Sequence, residues 1–230
     1  MEYSKDVEFA IVFRDKPISK EITNVFREAF NVNKKLFLRN PDRFKIIVCD
    51  TEKRFREQSK YYYFKWSTAT VLRNGNLVTR SPEFIEEVGR WRKEEFSSLM
   101  KHEINHVFWT RFYGLTKPCW ILEGLACYVG KNFLLTKKEL QKMINKYEVN
   151  ECILDYRYLK RNFLNGHQPR YSIWAKFVEF ISDKYHIKNL IEVMDAYIQE
   201  PTLKNYEKAF KEVFTKTDKE LFSEFVAEVM

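Results

Sequence analysis

Phe96-Ser97-Ser98-Leu99-Met100-Lys101-His102-Glu103-Ile104-Asn105-His106-Val107-Phe108 decides how this chain is read. Phe96, Leu99, Met100, Ile104, Val107 and Phe108 recur at helical spacing, which predicts a largely buried helix. On such a helix His102 and His106 stand one turn apart and point the same way, with Glu103 on the adjoining edge. Two imidazoles on one face can reach one cation, and a carboxylate beside them can take a proton from water held there. His102 and His106 are therefore candidate metal ligands and Glu103 a candidate general base. The competing reading is a chance coincidence of spacing, but two histidines and a glutamate on a buried helix need partners, which a metal provides.

A catalytic metal takes three protein ligands and keeps a fourth position open. Glu94 and Glu95 precede His102 by a distance of roughly 10 Å along a helix axis, too far to share the ion. Gly114 and Pro118 break the chain, and residues 120–129 then read as a second helix, with Gly130 as terminator. Glu123 on that helix is the best third ligand. Its neighbour Gly124 sits in a helix interior at about 1 kcal/mol relative to Ala, commonly offset by close approach of another backbone, here expected to be the His102 helix. Glu123 as a solvated helix residue and Gly124 as a packing convenience remain alternatives. Cys127, one turn beyond Glu123, and His167, in a loop, are rival ligands. A lone buried cysteine is more often a small core residue, and a lone loop histidine is more often solvated.

His102-Glu103-Ile104-Asn105-His106 followed by Trp120-Ile121-Leu122-Glu123-Gly124-Leu125-Ala126 resembles the gluzincin metallopeptidases, most closely the bacterial peptidase MA-like group. That group has a W-x-x-E-G-x-A helix carrying the third zinc ligand, then a helix opening like Tyr171-Ser172-Ile173-Trp174-Ala175-Lys176-Phe177-Val178. The likeness covers about residues 99–185. It implies an α+β fold with a thermolysin-like catalytic core, a small β-sheet above and helices below a substrate cleft. It also implies one Zn2+ held by His102, His106 and Glu123, with Glu103 as general base. Gluzincins commonly take a Tyr or His from the downstream region to stabilise developing oxyanion charge, which points to Tyr171, with His167 second. Two departures stand out: Cys127 occupies a position where relatives often place an orienting acid, and the Gly-x-Met-Glu-Asn motif that binds a substrate amino terminus is absent.

Outward from this centre, residues 7–13 read as a strand, 22–37 as an amphipathic helix and 44–49 as a buried strand. Residues 61–71 are aromatic and β-branched, and Asn74-Gly75 between 68–72 and 77–79 is a strong hairpin signal. Ser81-Pro82 reads as a helix start, with one helix or two running to about Phe112. Thr136 starts another helix, and later ones are expected at about 171–185, 190–198, 203–214 and 218–229, the last opened by a Thr217-x-x-Glu220 capping box. The sum is one metallopeptidase-like domain over 1–230, with an N-terminal α/β lobe at 1–80 and a mainly helical catalytic lobe at 81–230.

At 230 residues the chain can bury a sizeable core, and 45% hydrophobic with 31% charged residues exclude disorder. The net charge of +8 is spread among acidic residues rather than gathered into a stripe, so a nucleic-acid partner is not expected. Apolar runs fall short of the roughly 20 residues of a membrane span. Four cysteines without a CxxC pair, and an N-terminus without an apolar signal core, suggest a cytoplasmic protein with free thiols. The expected activity is zinc-dependent hydrolysis of peptide bonds in a peptide or protein substrate. The alternatives are a catalytically silent zinc-binding interaction module and a basic nucleic-acid-associated factor.

Overall fold

A computed structural model describes residues 2–88, 91–114, 118–132, 134–154 and 168–230. It is a mixed α+β structure with one five-stranded sheet, dividing into two compact units at residues 1–115 and 116–230. No helix among the described residues is long and apolar enough to cross a membrane.

The first unit holds β1 (Tyr3–Val7), β2 (Ala10–Arg14), α1 (Lys20–Phe37), β3 (Phe44–Cys49), α2 (Glu52–Ser59), β4 (Ala69–Val71), β5 (Leu77–Arg80) and α3 (Phe96–Tyr113). Sheet order is β1-β2-β3-β5-β4, with parallel pairing in the middle and an antiparallel strand at each edge. Phe44, Ile46 and Val48 of the central strand are buried while Lys45 is exposed and Ile47 half-buried, so one face of the strand carries the core. Residues 7–13 are not one strand: Glu8 and Phe9 form a turn, and Val7 pairs back on Ala10. Neither turn residue is a Gly, Pro, Asn or Asp, so the bend left no mark in the sequence. The Asn74-Gly75 hairpin is present, closed by Gly75 N–H donating to Leu72 O at 2.8 Å, with Gly75 at φ +71° as a short turn demands.

Ser81-Pro82 does not open a long helix. Ser81 N–H donates to the Cys49 carbonyl, and among the described residues the chain makes a turn and a 3-10 segment, Ile85–Val88, with a second at Lys93–Glu95 leading into α3. Glu83 explains part of this, since its carboxylate pairs with Arg14 at 2.8 Å and ties the turn to the sheet. Arg14 also makes a forked pair with Asp50, at 2.9 Å from Nε and 2.6 Å from Nη2, both side chains almost wholly buried. Burial opposes ionisation of Asp50, but the Arg14 hydrogen bonds and charge outweigh it and hold the carboxyl below its ordinary range. A depressed folded pKa stabilises above the unfolded value of about 3.9 and loses that contribution as pH falls through the folded one. Urea melts from neutral to strongly acidic pH should show this acid limb, and Asp50→Asn should flatten it; an unchanged profile would remove Asp50 from the acid response.

The second unit is helical: α4 (Cys119–Gly130), α5 (Lys137–Tyr147), α6 (Gln168–Lys184), α7 (Lys188–Tyr197), α8 (Leu203–Phe214) and α9 (Asp218–Val229). Gly130 closes α4 from inside, and the left-handed cap is Lys131 at φ +52°. Thr217 forms the capping box with Glu220 read from sequence, and Thr136, read as a helix start, forms one with Glu139. The core is aromatic: Trp120, Phe222 and Phe225 surround Phe177 at ring-centroid distances of 5.0, 5.0 and 5.5 Å. Trp120 is held at its other edge, since its indole N–H donates to Tyr206 Oη at 3.3 Å, and that hydroxyl donates to Asp218 at 2.8 Å.

Candidate metal centre

Helix α3 is packed by Ile104, Val107 and Phe108, all fully buried, with Phe108 against Phe30 and Phe37 of α1 at 5.2 and 5.3 Å. Its rotation is set by polar contacts as well. Asn33 of α1 donates to the Lys101 carbonyl at 3.0 Å, and Asn105 donates to Asn33 Oδ1 at 2.8 Å. Both asparagines are fully buried, so these bonds have no competition from water. The clasp brackets His102, itself buried, while Glu103 and His106 are half-buried.

The two imidazoles converge: their Nε2 atoms are 3.0 Å apart and their rings stand at 88° with centroids at 4.7 Å. On α4, Glu123 is half-buried. Among the described residues, His102, His106 and Glu123 each present a ligand atom, and these atoms lie within 4.8 Å of one another. Two nitrogens on one tetrahedral cation are about 3.3 Å apart, so the histidines need only a small rotation to accept an ion, and two imidazoles with one carboxylate are a donor set that zinc favours. The same approach without a cation suits one proton shared between the rings.

Gly124 fulfils a different role from the one expected. A Cβ built there would lie 2.8 Å from Val178 Cγ2 and 3.0 Å from the Trp174 carbonyl, so the close neighbour is α6, not the His102 helix. The glycine lets α4 press onto α6, and this helix pair carries the next candidate. Tyr171 lies in the first turn of α6, half-buried, its ring 5.8 Å from Trp174. Burial pushes its hydroxyl pKa up, the negative charge of Glu123 adds to the rise, and the Arg170 guanidinium, hydrogen-bonded to it, opposes. Tyr171 therefore keeps its proton at neutral pH.

No protein-family model matches the chain, and no curated protein matches it. Cys127 is wholly buried on α4 and is not part of the ligand group, while His167 lies outside the described residues. Arg170 escaped the sequence reading, because an arginine before a tyrosine carries no pattern. Its guanidinium lies 5.3 Å from the Tyr171 ring and 5.7 Å from the Trp174 ring, fixing a positive charge beside the Tyr171 hydroxyl. Among the described residues, His102, His106 and Glu123 form the group that could hold a metal ion.

Proposed function

We propose that this protein is a zinc-dependent metallopeptidase of gluzincin type with a thermolysin-like core, hydrolysing peptide bonds. The observation that carries the reading is the convergence of the His102 and His106 Nε2 atoms at 3.0 Å, with Glu123 completing the group. His102, His106 and Glu123 would hold the metal. A bound Zn2+ supplies Lewis-acid polarisation of a carbonyl and a water acidic enough to lose a proton near neutral pH. Glu103 takes the proton from the attacking water and later delivers it to the leaving amine nitrogen, a positioned proton transfer that contributes typically 10²- to 10⁴-fold. The Tyr171 hydroxyl donates a hydrogen bond to the oxygen on which negative charge builds, and Arg170 orients that hydroxyl. Among the described residues the group has three protein ligands and no cysteine, which favours an open site over a closed structural one.

The test is a metal analysis of protein purified without chelator, paired with hydrolysis of a mixed peptide pool. One zinc per chain is expected, with activity removed by chelation and restored by Zn2+. A metal-free, inactive protein that takes up no zinc would overturn the reading and leave the histidine pair as a shared-proton contact.

Tyr171→Phe deletes only the hydroxyl. It should lower turnover roughly 10²-fold, as for an oxyanion-hole donor, while zinc content and melting temperature hold. Should activity survive and thermal stability fall instead, Tyr171 is a packing residue, and His167→Ala inherits the test.

A further inference from the structure

Among the described residues, three exposed large hydrophobic side chains fall in one short segment, 60–66, where Tyr61, Phe64 and Trp66 are 96%, 52% and 46% exposed. Phe64 and Trp66 stack on one another at 5.3 Å and 22°, flanking Lys65 at the tip of a turn closed by Ser67 N–H donating to Phe64 O at 2.9 Å. Clustered exposed aromatics mark an interaction surface, whereas single ones do not.

The loop is held firmly from beneath. Arg80, 1% exposed, donates to the Ser67 carbonyl at 2.9 Å and the Lys65 carbonyl at 3.4 Å, and pairs with Glu52, which also accepts from the Tyr63 hydroxyl. Lys60 enters the loop at φ +51°, a conformation that L side chains seldom adopt. A buried arginine bonded to the backbone beneath partly exposed rings is the construction of a pre-formed contact site.

Charge and size select the partner. Lys60 and Lys65 are exposed within the same segment, while Glu52 beside it is engaged by Arg80 and Tyr63. The three rings offer about 400 Å² of surface, whereas a stable protein interface takes about 800 Å² from each side. A bilayer needs no matching shape, and Trp and Tyr interleaved with lysines are the residues that seat at its headgroup level. A single-stranded nucleic acid would want open ring faces, and Phe64 and Trp66 cover each other's. We propose that the loop 60–66 docks the protein peripherally on an anionic phospholipid bilayer, with Phe64 and Trp66 entering the interface and Lys60 and Lys65 meeting headgroup phosphates.

Co-sedimentation with phosphatidylcholine vesicles, with and without phosphatidylserine, reads this directly. Wild type should bind the phosphatidylserine vesicles, and Tyr61→Ser/Phe64→Ser/Trp66→Ser should reduce partitioning at least about tenfold, with the melting temperature held. Lys60→Gln/Lys65→Gln should weaken binding most at low salt. Trp66→Phe guards against misfolding of the triple variant: bromolipid quenching of wild-type tryptophan emission should exceed that of Trp66→Phe. Failure of wild type to bind vesicles, binding indifferent to these variants, equal quenching, or loop-dependent binding of oligothymidylate in place of vesicles would each overturn the proposal.

Discussion

His102→Ala, His106→Ala and Glu123→Ala are each expected to lose the bound zinc. A three-ligand site has no redundancy, and a two-ligand remnant holds zinc only weakly against water and buffer. The loss should leave folding largely intact for His106 and Glu123, which are half-buried, so circular dichroism can accompany the metal analysis. His102 is buried, and truncating it leaves a void as well as a missing donor, so some drop in melting temperature is expected there alone. Zinc affinity in the wild type should also fall on acidification, since protons compete for both imidazoles. Full zinc occupancy in Glu123→Ala would remove Glu123 from the ligand set and send the search to other donors.

Glu103→Gln should retain zinc and fold yet lose hydrolysis by roughly 10²- to 10⁴-fold. Gln preserves the size and hydrogen-bonding reach of the side chain but cannot accept a proton, so the substitution separates holding water from activating it. Glu103 is half-buried and precedes the buried Ile104, so its environment barely changes in the amide variant. Stopped-flow or endpoint assays on the same peptide pool give the comparison, and wild-type turnover in Glu103→Gln would refute the general-base role. The inactive variant is also expected to retain bound peptides long enough for their identification by mass spectrometry, which would report the substrate class.

Local rules made much of this architecture legible. The helix period alone brings His102 and His106 to one face, and capping boxes at Thr136 and Thr217 mark helix starts because each satisfies backbone N–H groups within four residues. The bounds of α8 and α9 also coincide with the sequence reading, and Thr202 caps α8 by accepting from the Asn205 N–H. What was not legible depends on partners remote in sequence. Ser81-Pro82 carries a helix-start signal that loses to the Cys49 carbonyl and the Arg14–Glu83 pair. Gly124 announces a close approach without saying to what, and only the tertiary structure names Trp174 and Val178. Within the site, ligand spacing is local and readable, whereas the Arg170 guanidinium beside Tyr171 and the Asn33–Asn105 contact depend on packing that no short pattern encodes.

That asparagine contact has a mechanical consequence. A helix seated by apolar side chains alone has its rotation fixed only by non-directional packing of ridges into grooves. A roll of even 20–30° would swing both imidazoles sideways together, keeping their mutual spacing but aiming them elsewhere. Asn33 grips α3 at the Lys101 carbonyl and at Asn105, one turn apart on the same side, so rolling breaks two buried hydrogen bonds at once. The pair acts as a torsional stop, and what it protects is the aim of the histidine couple rather than its internal geometry.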